Sequence, residues 1–426
     1  MSNGKRIVLA TFGSLGDVHP YIALANGLRE RGHSPVLATC PIFRDKVESL
    51  GLPFAPLRPD APEPGQMPEF MKRVMDLRRG PETVIREIMM PALRESYDDL
   101  QTATSGADLL VGHPLTFAAR LVAEKTGLPW ASALLAPIGF FSAMDPPSIP
   151  GAALLDWLRP LRPYLHRPLF KLARRSCRSW TRPWHALRAE LGLPATSDDP
   201  CFEGQHSPAL VLALFSGLLA EKQPDWPGQT AVTGFLFYDR HEGHQKLSEE
   251  LTQFLAAGPP PIVFTLGSSA VQDAGRFFEH SARAAELLGR RAILLIGIDL
   301  SNQLARLPEG VAAFEYAPFS ELFPSAAAIV HQGGVGTTAQ AMRSGRPMLI
   351  VPYAHDQPDN AARMVRLGVA RSLSRYRYTA ERAAAELKAL LDDPRYARRA
   401  DQVGKQIRDE DGVGSACAAL ERMLIS

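Results

Sequence analysis

Cysteine is scarce in this chain, with four residues in 426. Cys40, Cys177, Cys201 and Cys417 show no C-x-x-C spacing, which argues against a zinc ribbon or a dithiol redox centre and for reduced thiols. Long apolar runs are missing too. Nothing approaches the roughly 20 residues a membrane-spanning helix requires, and the apolar run in MSNGKRIVLATFG is too short for a signal peptide. A cytoplasmic protein is the expectation. Charge of one sign is also lacking: 47 Lys and Arg against 45 Asp and Glu leave a net +2. There is no overall basic footprint, so nucleic acid is not an expected partner.

What is present describes a folded, loop-rich chain: 46% hydrophobic residues, 33 Gly and 36 Pro. The length favours two domains of about 200 residues each. Short apolar runs alternate with longer helical patterns, the arrangement of parallel sheets covered by helices. Strands are expected at 6–12, 34–40, 108–112, 130–135 and 209–215. A second series follows at 261–267, 292–297, 311–316, 327–331, 347–351 and 369–373. The proline-containing stretch 217–260 reads as a linker. We therefore expect an α/β protein of two doubly wound Rossmann-like domains, residues 1–237 and 238–426, facing each other across a cleft. Ligands in such sheets sit beyond the carboxyl ends of the strands.

Two excursions, 55–107 and 137–200, break the alternation, and insertions of that length usually build binding surfaces. The second contains APIGFFSAMDPPSIPG and a basic stretch from 157 to 188 with nine Arg and Lys among Trp, Leu and Phe. That composition suits either a solvated lid over an acceptor or a contact with anionic lipid.

The sharpest signal is HQGGVGTTAQAMRSGRPMLIVP, from His331 to Pro352. Gly333, Gly334 and Gly336 let the backbone approach a ligand, and the amides opening the next helix favour an anion. His331, Thr337 and Thr338 add donors. The alternative is a tight turn over a buried histidine. Downstream, PYAHDQPDN gathers Asp356, Gln357 and Asn360, groups suited to sugar hydroxyls, although Asp356 or Asp359 would also serve as a helix cap. Ser268 and Ser269 in TLGSSA follow a strand and can hold a diphosphate. Tyr316 and Phe319 in EYAPFSELFP can stack on a base or belong to the core.

In the first half, FGSLGDVHPYIALANGLRERGH ends a strand and opens a helix near Pro20, with Tyr21, Leu24, Ala25 and Leu28 on one face. Asp17 and His19 are the catalytic candidates at this loop. Asp17 is either a general base or a capping aspartate. The chain is read as carrying no Asp-x-Asp metal motif, so activity without a metal ion is expected.

Together these segments resemble the GT-B fold glycosyltransferases of family 1, and most closely their bacterial sterol-type and antibiotic-type branch. The likeness rests on GSLGDVHPYIALANGLRERGH, YAPFSELFP and VHQGGVGTTAQAMRSGRPMLIVPYAHDQPDNAARMVRLG, and runs from the first strand to the C-terminus. It implies an inverting transfer of a hexose, glucose foremost, from a UDP- or dTDP-sugar to a hydroxyl of a sterol, terpenoid, polyketide or flavonoid type of acceptor. The nucleotide sugar is then a co-substrate and no further cofactor is implied.

By the same resemblance, His331 contacts the diphosphate together with Ser268 and Thr337, Asp356 and Gln357 hold the sugar, and Tyr316 falls where relatives stack an aromatic on the base. Asp17 matches the family's general base. His113 stands where relatives with a histidine base carry an acid, and it either lines the acceptor pocket or is an ordinary buried histidine; Phe140, in the second excursion, is the other acceptor candidate. The last helix is expected to pack back on the first domain. Gln332 departs from the second histidine of many relatives, which leaves nucleotide and sugar open. Rival readings are another enzyme on this fold, such as a sugar-nucleotide epimerase, or a transferase bound to a membrane through 157–188 at the inner face of the membrane. A monomer and a homodimer are equally compatible.

Overall fold

The computed structural model describes residues 4–148, 161–162, 164–239 and 246–425. The chain separates into two compact units. The first comprises Met1–Pro64, Arg79–Tyr238 and Asp411–Ser426, and the second Gly65–Arg78 and Asp239–Glu410.

The first unit is built on a seven-stranded sheet in the order β3-β2-β1-β4-β5-β6-β7. Its strands are β1 (Arg6–Ala10), β2 (Ser34–Thr39), β3 (Phe54–Pro56), β4 (Leu109–Gly112), β5 (Trp130–Leu134), β6 (Val211–Ala213) and β7 (Thr230–Val232). The second unit carries six strands in the order β10-β9-β8-β11-β12-β13. These are β8 (Ile262–Thr265), β9 (Ala292–Leu295), β10 (Val311–Phe314), β11 (Ala328–His331), β12 (Met348–Ile350) and β13 (Ala370–Ser372). Every pairing is parallel.

The central strands β4, β8 and β11 are buried along their whole length. That is why they read as unbroken apolar runs rather than alternating ones. In each sheet the chain first winds outward to one edge and then returns to wind the other way. The reversal falls between β1 and β4 in the first sheet and between β8 and β11 in the second, and this crevice is where ligands of doubly wound sheets bind.

The helices that bear on the site are α1 (Leu15–Glu30), α2 (Met67–Val74), α3 (His166–Cys177), α4 (Val335–Ser344), α5 (Gln357–Leu367), α6 (Pro394–Asp409) and α7 (Gly412–Ile425). Helix α1 starts at Leu15, capped by Ser14, and Pro20 lies inside it rather than at its start. Tyr21, Leu24, Ala25 and Leu28 are all buried, as their spacing predicts. α7 packs on α1 so closely that a Cβ at Gly27 would stand 2.4 Å from Val413 Cγ1.

Two of the expectations are corrected. The stretch 217–260 is not a bare linker, because it contains β7 and a helix, Glu249–Ala256. The excursion 55–107 supplies the edge strand β3 to the first unit but α2 to the second, where Met71 and Met75 join the apolar core.

Candidate active site

In the first unit the loops after β1 and β4 meet at the reversal point of the sheet. Gly13 has φ 138, and a Cβ there would stand 2.3 Å from Asp17 Oδ2, so the turn that admits this carboxylate requires glycine. Asp17 Oδ2 accepts from the Ser14 amide at 2.7 Å and the Ser14 hydroxyl at 3.1 Å. This is the carboxylate half of a capping box. The capping role is therefore real, and it employs one oxygen.

The other oxygen, Oδ1, lies 3.7 Å from His113 Nε2. Burial raises the Asp17 pKa from 3.8 to about 6, against the opposing bonds from Ser14. A carboxylate tuned to this range is suited to general-base work near neutral pH. His113 is itself buried, and burial holds its pKa down to about 3. Its Nδ1 accepts from the Leu115 amide at 3.2 Å, which leaves the proton of the neutral ring on Nε2. His19 packs its ring against Tyr238, centroids 5.1 Å apart. Phe140 is buried between the faces of Trp226, at 3.9 Å, and His206, at 5.6 Å, and acts here as a packing residue.

In the second unit three loops converge at the carboxyl ends of β8, β11 and β12. A Cβ at Gly267 (φ 65) would stand 2.4 Å from Gln332 Nε2 and 3.3 Å from Thr337 Oγ1, so the TLGSS loop lies directly against the glycine turn. Ser268, beside that contact, is exposed. A Cβ at Gly333 (φ 90) would meet Ile350 Cγ2 at 2.9 Å and the Gln357 carbonyl at 3.1 Å. Gly334 caps α4, whose opening turn contains Gly336, Thr337 and Thr338. The first amides of a helix have no partner within it.

His331 is wholly buried, with its pKa lowered to about 3 by burial. Its Nδ1 accepts from the Gly333 amide at 3.1 Å, and its Nε2 is buried without a hydrogen-bond partner among the described residues. The ring thus lies inside the fold, neutral, with its proton on Nε2 and uncommitted.

Asn360 ties the loops together. Its Nδ2 donates to the Gly333 carbonyl at 2.9 Å and to Asp356 Oδ2 at 2.7 Å. Gln357 Oε1 accepts from the Tyr353 and Ala354 amides, which commits that end of the side chain to the turn and leaves the Nε2 end for other partners. Asp356 sits at the N-cap position of α5 without a side-chain cap bond. Asp359 instead pairs with Arg363 at 2.8 Å, both buried. Phe319 stacks on Phe323 at 4.5 Å, and Tyr316 is exposed after the edge strand β10, with β9 and β8 between it and β11.

Sequence reasoning did not single out Tyr353, His355, Asp273 or Arg375 for the site. Arg375 bonds Asp273 at 2.8 Å and lies 4.1 Å over the Tyr353 ring. No local pattern marks such pairs, because they are made only when distant loops meet. One Asp-x-Asp spacing does occur, Asp409–Glu410–Asp411. It lies at the end of α6, where Asp411 accepts from the Gly414 amide at 2.8 Å. Among the described residues no group of three or more His, Cys, Asp or Glu is placed to hold a metal ion.

Parallel doubly wound sheets whose reversal-point loops carry a glycine turn and a helix N-terminus belong to enzymes that handle phosphorylated ligands. Comparison with known proteins narrows this class. Residues 7–137 match the glycosyltransferase family 28 N-terminal domain, and residues 285–412 match the erythromycin biosynthesis protein CIII-like C-terminal domain. O-mycaminosyltylonolide 6-deoxyallosyltransferase of Streptomyces fradiae is 35% identical over 98% of this chain and 97% of its own. A sterol 3-beta-glucosyltransferase of Candida albicans is 29% identical over 98% of this chain, which spans 28% of that protein. The crystal structure of the glycosyltransferase of kitacinnamycin shares the fold, with a TM-score of 0.70, 23% identity and coverage of 99% and 100%. The chain belongs to the GT-B fold glycosyltransferases of family 1 and is a glycosyltransferase.

Proposed function

We propose that this enzyme moves a hexose, glucose or a 6-deoxyhexose, from a UDP- or dTDP-sugar to a hydroxyl of a lipophilic natural product or sterol, with inversion and without a divalent metal. The observation that carries the reading is the convergence of the Gly267, Gly333 and Gln357 loops on the opening turn of α4. An anionic leaving group is favoured at such a turn. In this account the α4 amides, Thr337, Ser268 and the Nε2 proton of His331 offset the charge that grows on the departing diphosphate. Asp356 and Gln357 hold the sugar, and Tyr316 offers a face to the base.

Asp17 accepts the proton of the acceptor hydroxyl as its oxygen bonds to the anomeric carbon, and the bond from that carbon to the diphosphate oxygen breaks. The proton ends on Asp17 and the electron pair on the leaving diphosphate. The S. fradiae and C. albicans relatives are named for transfer to O-mycaminosyltylonolide and to a sterol, and both names support a large, mostly apolar acceptor.

The test is a panel of UDP- and dTDP-hexoses against macrolide, sterol, terpenoid and flavonoid acceptors, read by mass, with the anomeric configuration of any product assigned by NMR. An inverted glycoside formed in the presence of a chelator is the expected result. Retention of configuration, or activity lost with the chelator and restored by the metal, contradicts the proposal.

A second reading adds a membrane. In the described part of 157–188, Leu161, Tyr164 and Leu172 are exposed alongside Arg167, Lys171 and Arg175 on and before α3, while residues 157–160 and 163 lie outside the described residues. Such a face suits anionic lipid and an acceptor delivered from a bilayer. Sedimentation with phosphatidylglycerol vesicles, reversed by salt, is the expected outcome, and no sedimentation removes this reading. No helix among the described residues is long and apolar enough to cross a membrane.

A further inference from the structure

The loop between β12 and α5 holds a residue in a conformation its side chain disfavours. His355 has φ 57. Asp356 follows at φ −75 and ψ −15, and the Gln357 amide donates to the Ala354 carbonyl at 3.2 Å. Ala354 to Gln357 is therefore a tight turn whose first central residue is left-handed, a place that glycine ordinarily takes. A histidine kept there needs a compensating contact.

That contact comes from an early part of the chain. The His355 ring lies beside the backbone of Val74, the last residue of α2, and Met75, the next residue, is buried in the same apolar cluster as Tyr353 and Ala354. α2 also packs on the turn Val271–Asp273, which follows the Ser268–Ser269 loop. Met71 and Met75 anchor the segment in the apolar core of this unit. On the same turn, Asp273 is held by Arg375, whose guanidinium covers Tyr353, the residue whose amide donates to Gln357 Oε1. The segment 65–78 thus packs beside the loop read as holding the sugar and on the turn that follows the loop read as holding the diphosphate.

We propose that His355 is a positioning residue of the donor site. Its packing against the end of α2 holds the left-handed turn that sets the direction of Asp356 and Gln357, which makes residues 65–78 a determinant of donor-sugar recognition. This rests on the reading of Asp356 and Gln357 as the sugar loop. Binding of the free nucleotide should not depend on it.

The experiment compares wild type, His355→Gly and Gln357→Ala as full chains, using whichever of UDP-glucose or dTDP-glucose is turned over. Donor KM and kcat, the Kd of free UDP or dTDP by calorimetry, and Tm are measured for each. Glycine suits the turn, so His355→Gly folds and keeps its Tm while losing the anchor. Donor KM is expected to rise roughly 3- to 10-fold, the scale of one or two misdirected hydrogen bonds, with nucleotide Kd unchanged within about twofold.

An unchanged KM in His355→Gly, or KM and nucleotide Kd rising together, overturns the proposal. If Gln357→Ala also leaves KM unchanged, the sugar-loop reading itself has failed. If Gln357→Ala raises KM and His355→Gly does not, only the role of His355 and α2 falls.

Discussion

His113 Nε2 stands 3.7 Å from Asp17 Oδ1 across the reversal point of the first sheet. The Leu115 amide fixes the imidazole tautomer, so a ring proton faces the carboxylate and favours its ionised form. The distance is longer than a hydrogen bond, so the support is partial. Replacing His113 with Leu keeps the site apolar and removes that proton. We expect the acid limb of the kcat/KM profile to move up by about one pH unit at most. A limb that stays in place or moves down shows that His113 does not act on Asp17.

Asp17 also links activity to pH in the wild type. With its pKa raised to about 6, mainly by burial, kcat/KM should fall below about pH 6 and level off above it. The stability sign is opposite to that of a salt-bridged carboxylate. A raised folded-state pKa contributes stability that is present below the unfolded pKa of 3.8 and is lost as pH rises through about 6. Thermal unfolding of Asp17→Asn should therefore show a Tm equal to or above wild type at pH 7.5, with the difference gone near pH 4. A marked loss of Tm at pH 7.5 would mean that the cap bond to Ser14 dominates.

The glycine turn after β11 tolerates no side chain. At Gly333 a Cβ meets Ile350 and the Gln357 carbonyl at 2.9 and 3.1 Å, and φ is 90. Gly333→Ala is expected to lower stability by about 1–3 kcal/mol and to weaken UDP or dTDP binding at least tenfold. Calorimetry and thermal melts check both. Wild-type nucleotide affinity in a folded Gly333→Ala protein contradicts the placement of the diphosphate.

Asp359 was open to reading as a helix cap, but it is one half of a buried pair with Arg363, 2.8 Å apart and 1% and 4% exposed. Removing one partner strands the other charge. Asp359→Ala should cost about 3–5 kcal/mol, far more than a lost cap, measured by denaturant unfolding. A loss below about 1 kcal/mol would fit a cap instead.

The parts that were legible in the sequence share one property: a local pattern expresses them. β1, β4, β8 and β11 are apolar runs because both faces of the sheet are covered, and the order strand, His331, glycines and α4 is continuous along the chain. β3 and β7 were missed because FAP and TAV lack the flanking apolar residues that mark the equally short β6 within ALVLALF.

The site's internal wiring was illegible for a different reason. Asn360 bonding the Gly333 carbonyl, Gln332 filling the space beside Gly267, and α2 reaching the His355 turn are contacts between segments 27, 65 and about 280 residues apart. Nothing in either segment alone announces the other. Asp17 belongs between these cases: its cap geometry is local, whereas the burial that tunes it and the ring of His113 come from the folded sheet.

The central claim is that Asp17 takes the acceptor proton while a separate loop system binds the donor. The measurement is the transfer rate of Asp17→Asn at saturating donor, read together with its UDP or dTDP affinity by calorimetry. The account predicts a rate about 10²- to 10⁴-fold below wild type with nucleotide Kd within about twofold. An undiminished rate, or a loss of rate matched by a loss of nucleotide binding, contradicts it.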